Sequence, residues 1–306
     1  MNKTKTYTKI NTIYKRFSGI TKDNCPNPKW LKWKNKIIFG LYSDEIFEFL
    51  RNNMFEAYSK IDGTNSKIVY FPSTGKIQVG GKSDNAQSQH GQFEYLQAIA
   101  DRILPILKEM YPPESAEFIT ETDDNDKPLL FERIRTMDEE DEFFTVRMIE
   151  VPIYIYGEYY GKGIQKVGGS YSSENHFAVF DICKQGWWLP SNMRHEICEK
   201  LNLDEVPRLD NMTLIEGERL VREGFTTHVE NVVDKNLIEE GLVLRPIVPI
   251  KNSRGKRIIV KIKHCDYHEY NIVRKEFTNA EMKEFLSWYF TEIEPNSSDC
   301  INYLYN

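Results

Sequence analysis

The chain lacks the features that mark secreted and membrane-spanning proteins. Its five cysteines are odd in number, widely scattered and include no C-x-x-C pair, which favours a reducing compartment over a disulfide framework. No apolar run reaches the length of about 18 residues that a spanning helix needs, and no apolar segment follows the first residues. The sequence therefore predicts neither a membrane span nor a secretion signal, and we expect a cytoplasmic protein.

Repeats, low-complexity tracts and linkers rich in Gly, Ser or Pro are also absent, so one main domain is the simplest expectation. Hydrophobic residues make up 40% of the 306 residues and aromatic residues 13%. This composition excludes a disordered chain and allows a sizeable core.

An excess of positive charge is absent as well, because the formal net charge is −6. Total charge therefore does not indicate a polyanionic partner, although a local basic surface remains open. Lys and Arg cluster within residues 3–36, where they form either a surface for a phosphate backbone or an ordinary solvated face. Acidic residues concentrate within residues 121–142, and we expect them in a solvated hairpin or insertion.

The hydrophobic pattern predicts an α+β fold built on antiparallel sheet. Runs of β-branched and aromatic residues predict strands at 66–71, 76–80, 143–156, 177–182, 242–250 and 257–262. Apolar residues on one helical stripe predict helices at 44–52, 93–110, 214–223 and 279–293. Pro105 should kink or end the second helix, and Thr278 with Glu281 forms a capping box for the last one.

The sharpest local feature is the run Lys60-Ile61-Asp62-Gly63-Thr64-Asn65, between a predicted helix and a predicted strand. Taken alone it is typical of an exposed lysine in a hairpin, since Asp-Gly is a strong turn signal. The runs that follow it are G-G-K-S-D-N-A-Q at 80–87, Y-G-E-Y-Y-G at 156–161, F-A-V-F-D-I at 177–182, E-G-L-V-L-R at 240–245 and I-V-K-I-K at 259–263. In this order they resemble the collinear motifs of the covalent nucleotidyltransferase superfamily of polynucleotide ligases and mRNA capping enzymes. Within that superfamily the likeness is to the ATP-dependent RNA ligases of phages and some bacteria.

The resemblance covers about residues 7–263 and implies a domain organisation. A ligase-type nucleotidyltransferase (ATP-grasp-like) domain of antiparallel sheets with flanking helices would span residues 1–265, with an N-terminal extension at 1–55. A short helical segment at 266–306 would follow. Too few residues remain after Lys263 for the oligonucleotide-binding barrel of DNA ligases and capping enzymes.

Elementary chemistry explains why such residues would act together. The amine of Lys60 can attack a phosphorus atom only when it is unprotonated, yet an ordinary lysine has a pKa of about 10.4. Lys261 and Lys263 share one face of a predicted strand, so beside Lys60 they would disfavour its proton and neutralise phosphate charge. Glu240 would suit Mg²⁺, or alternatively Mn²⁺. We expect Lys60, Lys261, Lys263 and Glu240 to be the catalytic residues, with Glu240 as the metal ligand; for the two strand lysines, a solvent-facing edge is the alternative.

The resemblance also implies nucleotide contacts. Glu158 would hold the ribose hydroxyl, Lys82 would contact phosphate in place of a motif arginine, and Phe180 would stack on adenine, with Phe177 as its rival. A core phenylalanine is the alternative for Phe180. The full expected nucleotide-binding set is Lys60, Asp62, Gly63, Asn65, Lys82, Glu158, Phe180, Glu240, Lys261 and Lys263. Ser59 stands where some RNA ligases carry glutamate, so a preference for ATP over GTP stays open.

The resemblance implies an ATP-dependent RNA ligase. It would join RNA 3′-OH and 5′-phosphate ends through a lysyl-AMP on Lys60 and an RNA-adenylate, in RNA repair. ATP and Mg²⁺ or Mn²⁺ are the expected cofactors, and RNA ends the expected partner of a monomer in the cytoplasm, or in the host cytoplasm if a phage encodes it. The alternatives are an ATP-dependent DNA ligase, a capping guanylyltransferase, and a non-catalytic protein that binds nucleic-acid ends. The preferred RNA end is left open.

Overall fold

The computed structural model describes residues 7–295 except 73, 84–86, 89–90, 113–120, 123–127, 130, 138–141, 149–151, 185–186 and 253–254. The predicted α+β class is confirmed, because almost all strand pairs in the described residues are antiparallel and helices flank the larger sheets. Part of the acidic stretch 121–142 and three residues of the 80–87 motif lie outside the described residues.

The strands of the described residues are β1 (Asn11–Thr12), β2 (Tyr14–Arg16), β3 (Ile37–Tyr42), β4 (Met54–Ser59), β5 (Thr64–Phe71), β6 (Lys76–Gly81), β7 (Glu121–Thr122), β8 (Pro128–Leu129), β9 (Phe131–Met137), β10 (Glu142–Met148), β11 (Ile153–Gly161), β12 (Asn175–Lys184), β13 (Trp187–Trp188), β14 (Arg208–Thr213), β15 (Gly241–Pro246) and β16 (Val260–Lys263). The α-helices are α1 (Glu45–Leu50), α2 (Gln92–Met110), α3 (Gly168–Tyr171), α4 (Ser191–Leu201), α5 (Leu214–Glu223), α6 (His264–Lys275) and α7 (Asn279–Trp288). A 3₁₀ helix spans Pro28–Trp33 and a π-helical turn spans Tyr289–Ile293. Within the described part of the chain, no helix has both the length and the apolar character of a membrane span.

The chain divides into two compact units. The first unit comprises Met1–Tyr7 and Asp62–Val206, and the second comprises Thr8–Ile61 and Pro207–Asn306. The chain therefore passes from one unit to the other directly after the Lys60-Ile61 pair. This division differs from the boundary at residue 265 that the resemblance implies, and that boundary stays a prediction.

The first unit is built on a five-stranded antiparallel sheet with the order β13-β12-β11-β5-β6. One face of the sheet packs against the buried stripe of α2, which includes Leu96, Ile103 and Leu107. Pro105 lies inside α2 and does not end it, because burial of this stripe outweighs the roughly 3 kcal/mol that an interior proline costs. The predicted strand at 143–156 is wrong as a single element, since β10 pairs with β9 whereas β11 joins this sheet.

The second unit contains a five-stranded sheet with the order β1-β16-β15-β4-β14, in which only β1 and β16 are parallel. Phe55, Leu242 and Ile262 on one face pack against α5. β15 ends at Pro246, four residues before the predicted end, because proline cannot donate to the sheet ladder. α5 matches its predicted bounds, and both α5 and α7 begin with a capping box.

Basic residues of the N-terminal part pair with acidic residues in and directly after the C-terminal helices of the second unit. In the described residues these pairs are Lys15–Glu294, Arg16–Asp266, Lys29–Glu281, Lys32–Glu276 and Lys36–Glu269. An aromatic cluster under them joins Phe17 and Trp33 to Phe285 and Tyr289. The basic segment is therefore partly neutralised by acidic residues of the same chain. The two interpretations from sequence, a surface for a phosphate backbone and a solvated face, did not include these ion pairs.

A small charge network anchors α4 in the first unit. Glu205 accepts from Arg194 Nε at 2.6 Å and lies 2.7 Å from His195 Nδ1. The hydrogen bond to Glu205, aided by the charges of Glu205 and Glu199, raises the pKa of His195. The stability that this contact adds is fully present below the unfolded pKa of histidine and is lost as pH rises through the higher folded pKa.

We therefore expect His195 to titrate above the usual value of about 6.5. Replacing Glu205 with Gln should bring that pKa down, because the amide removes the negative charge. NMR titration of the His195 ring signals, assigned by loss of the signal in His195→Asn, measures both values. A wild-type pKa at or below the usual value, or no response to Glu205→Gln, would contradict the network.

Candidate functional site

Lys60 lies in the second unit, immediately after the end of β4. Its backbone N–H donates to the carbonyl oxygen of Gly241 at 3.0 Å, which fixes the turn beside the start of β15. Its side chain is 20% exposed, and Nζ donates to Oε2 of Glu240. A largely buried lysine in direct contact with a carboxylate is not the exposed turn lysine that the fragment alone would suggest.

Glu240 connects Lys60 to a second lysine. Its Oε1 accepts from Lys263 Nζ at 2.6 Å, and its side chain is 15% exposed. The main chain supports this contact, because the N–H of His264 donates to the carbonyl oxygen of Glu240 at 2.9 Å. Lys60 of the first run and Lys263 of the last run thus contact the same carboxylate.

The charge environment differs from the sequence-based expectation. Burial lowers the pKa of Lys263, but the hydrogen bond and the charge of Glu240 outweigh it, so the pKa is raised above that of an ordinary lysine. We expected two lysines to repel the proton of Lys60, whereas a carboxylate lies against Lys60 and Lys263 together. The sequence could not show this, since Glu240 is 180 residues from Lys60 in the chain.

Lys261 shares the face of β16 that carries Lys263, as the spacing predicts. Val260 and Ile262 are buried in the core, while the two lysines are half-buried on the opposite face. Lys261 lies opposite Val243 on β15 and Thr12 on β1. It is therefore an interior position of the sheet and not the strand edge of the alternative interpretation.

In the first unit, Asn65 and Glu158 are direct cross-strand neighbours on β5 and β11. Both side chains are half-buried. Oδ1 of Asn65 is buried and accepts no hydrogen bond within the described part of the chain. An unsatisfied buried acceptor costs about 1–3 kcal/mol, so this position favours a ligand that brings a donor.

Gly63 occupies a turn that admits no side chain. A Cβ atom there would lie 2.5 Å from the carbonyl oxygen of Tyr159 and 2.8 Å from Cγ of Glu158. Two residues that sequence reasoning missed hold the same turn: Gln165 Nε2 donates to the Gly63 oxygen at 3.3 Å, and the N–H of Asp62 donates to Tyr171 Oη at 3.3 Å. Their position just after the 156–161 motif is the signal that could have found them.

The two candidate phenylalanines have different surroundings because β12 carries a bulge. Val179 faces Gly157 and Asp181 faces Tyr156, so Phe180 is the extra residue between them. Phe177 is 3% exposed and packs over Gly157, where a Cβ would lie 2.4 Å from its ring. Phe180 is half-buried, so its ring is the more accessible of the two.

A tyrosine and an aspartate that the sequence did not single out lie next to Phe180. The Phe180 ring meets Tyr7 edge-on at 5.1 Å, and Tyr7 Oη donates to the fully buried Asp181 at 2.8 Å. Lys82, by contrast, is exposed one residue beyond β6. Within the described residues, no group of three or more His, Cys, Asp or Glu side chains forms a metal centre.

The sequence matches the family model for RNA ligases over residues 55–263. No curated protein matches the chain. Several solved structures of a Naegleria gruberi RNA ligase are similar to it. A mutant with ATP and Mn has 16% identity and a TM-score of 0.47, over 75% of this chain and 55% of that one. The form with PPi has 18% identity and a TM-score of 0.46, over 76% and 55%. The chain thus spans just over half the length of these structures.

Proposed function

The chain belongs to the RNA ligase family, and we propose that it is an ATP-dependent RNA ligase that carries AMP on Lys60. The observation that supports this function best is the contact of Lys60 and Lys263 with the two oxygens of Glu240. A nucleophilic amine, a cation for phosphate and a carboxylate for a metal ion are the groups that nucleotidyl transfer requires.

In the first step, the Lys60 amine attacks the α-phosphorus of ATP. Lys60 reacts as the free amine, so its ammonium group first loses one proton to solvent. A nitrogen–phosphorus bond then forms, the bond to the bridging oxygen breaks, pyrophosphate leaves, and the nitrogen loses a second proton to solvent and keeps one hydrogen in the phosphoramidate. Glu240 orients the amine through the hydrogen bond it accepts from Nζ. Lys263 and Lys261 neutralise the negative charge that grows on the phosphates.

Glu240 is also the proposed ligand for Mg²⁺ or Mn²⁺. A carboxylate oxygen is the donor that such hard cations prefer, and Mg²⁺ commonly binds one or two carboxylates together with substrate phosphates. When bound, the ion supplies positive charge to the phosphate oxygens. Glu240 would hold the ion through the same carboxylate that accepts from Lys60, so its ion pair with the lysine would be weaker while the ion was bound.

In the first unit, the half-buried pair Asn65 and Glu158 is proposed to contact the nucleotide sugar, and Phe180 to stack on the base. Oδ1 of Asn65 accepts no hydrogen bond from the residues that the structure describes, which supports a donor-bearing ligand, and the accessible ring favours Phe180 over Phe177. Asp62 and Gly63 hold the turn after Lys60, and Lys82 would reach phosphate as a point charge.

The remaining steps seal RNA. AMP passes from Lys60 to an RNA 5′-phosphate, and a 3′-hydroxyl then attacks the activated phosphate and releases AMP. Dividing the joining into covalent steps lowers each barrier. We propose a role in RNA repair in the cytoplasm, with the protein acting as a monomer.

Intact-mass spectrometry after incubation with ATP and Mg²⁺ or Mn²⁺ tests the proposal. We expect one added AMP, which pyrophosphate removes by reversing the first step. GTP and NAD run in parallel identify the nucleotide donor, and nicked RNA, nicked DNA and single-stranded RNA identify the substrate. A covalent adduct with GTP alone, no adduct at any pH or metal, or sealing of DNA alone would overturn the assignment.

A further inference from the structure

Glu239 directly precedes Glu240, and its side chain contacts a different set of residues. Its side chain is 1% exposed, although charged residues are almost never fully buried unless they are partnered. Oε2 accepts from Thr227 Oγ1 at 2.9 Å and from the N–H of His228 at 3.4 Å. A buried carboxyl with these contacts ties the start of β15 to the segment 225–228.

The main chain strengthens the same junction. The N–H of Glu239 donates to the carbonyl oxygen of Phe225 at 2.8 Å, and the N–H of Thr227 donates to that of Leu237 at 2.9 Å. Two backbone hydrogen bonds therefore join segment 225–228 to segment 237–239, in addition to the hydrogen bonds that the Glu239 side chain accepts. A change in the Glu239 side chain acts on the backbone from which Glu240 extends.

The junction also reaches the residue before Lys60. Ser59 is 3% exposed and lies opposite Leu242 on β15. Burial raises the pKa of the Glu239 carboxyl, and the neighbouring hydroxyls of Ser59 and Thr227 oppose only part of that rise. Ser59 Oγ and Glu239 Oε1 nevertheless complete no hydrogen bond of good geometry within the described residues. One buried carboxyl thus borders the backbone of both Lys60 and Glu240.

We propose that Glu239 is a positioning residue, which holds Glu240 and the Ser59–Lys60 turn in the geometry that lysine adenylylation needs. The inference rests on the proposed function and adds a residue that contacts neither nucleotide nor RNA. Glu239 acts through its hydrogen bonds, and a displacement of about 1 Å at reacting groups can cost about a hundredfold in rate.

Single-turnover adenylylation with labelled ATP tests the effect on the reaction. Glu239→Ala should lower the rate constant by about tenfold to a hundredfold, with an apparent KM for ATP close to that of the wild type. Glu239→Gln keeps an acceptor for Thr227 and should stay within about threefold. As a single change, Thr227→Val should lower the adenylylation rate constant severalfold. Added to Glu239→Ala, it should lower the rate constant no further.

The fraction of molecules that become labelled distinguishes a positioning defect from misfolding. A merely structural defect reduces the labelled fraction and leaves the rate constant of the remaining molecules unchanged, and this result would overturn the proposal. The milder Thr227→Val variant keeps the test valid if Glu239→Ala folds poorly.

A second measurement does not depend on ligase activity. Trace acylation with acetic anhydride, followed by peptide mapping, reports how firmly Lys60 and Lys263 are held by Glu240. In Glu239→Ala both should react several times faster, while Lys108 on α2 should not change. If the wild type forms no lysyl-AMP, the proposed function fails and the acylation pattern still decides the role of Glu239. Unchanged reactivity of Lys60 and Lys263 would overturn that role.

Discussion

Lys60→Arg should abolish the covalent AMP adduct while leaving the fold intact. The guanidinium group keeps the positive charge and can still donate to Glu240. It remains protonated because its pKa exceeds about 12, so it has no free electron pair for phosphorus. We expect the adenylylation rate to fall by roughly 10⁴-fold or more, as for removal of other covalent nucleophiles. Intact-mass spectrometry with labelled ATP measures the loss.

RNA that already carries a 5′-adenylate provides the control for Lys60→Arg. The final step does not form a bond to Lys60, so the variant should still seal this RNA, and it should unfold within a few degrees of the wild-type temperature. Labelling of the arginine variant at the wild-type rate would mean that AMP attaches to another residue.

Glu240→Gln should be the second most damaging change. The amide keeps the size of the side chain but removes the charge shared by Lys60 and Lys263. Since Glu240 is also the proposed metal ligand, we expect a loss of about a hundredfold in adenylylation and a higher metal concentration at half-maximal rate. The two lysines lose their common counter-charge, and the free energy of unfolding should fall by about 1–3 kcal/mol. Single-turnover kinetics over a Mg²⁺ series and urea denaturation measure these effects.

Glu269→Gln is the matched control for Glu240→Gln. Glu269 also pairs with a lysine, Lys36 at 2.6 Å, but its side chain is 50% exposed. An exposed pair contributes at most about 1 kcal/mol, and Glu269 has no proposed role in the reaction. Equal losses in the two variants would show that Glu240 contributes only an ordinary ion pair.

The sequence predicted those elements whose local pattern agrees with their packing. α5 and α7 start where their capping residues stand, and β5 and β6 follow β-branched runs. The bulge at Phe180 depends on the register between β11 and β12. Register is a property of two strands, so no pattern within one strand predicts it.

The division into two units was not predicted, because the chain crosses between them three times, after Tyr7, Ile61 and Val206, and none of these crossings has a linker composition. Asp62 follows Ile61 within a single motif, and Pro207 follows Val206 between ordinary residues. Of the candidate site, motif order predicted Lys60, Glu240 and Lys263 as a group. The direct contact through Glu240 was missed, and so was Glu239, since pairings over large sequence separations have no local signature.

The pairing of the N-terminal basic residues with the C-terminal part of the chain has a consequence for how the protein is made. Arg16, Lys29, Lys32 and Lys36 lie 233 to 252 residues before their acidic partners. At about 5–20 residues per second, a ribosome makes the two members of each pair roughly 10–50 s apart. During that interval Phe17 and Trp33 lack the aromatic partners that later cover them. Folding of the second unit therefore finishes only after synthesis of α7, and the nascent chain is open to chaperones until then.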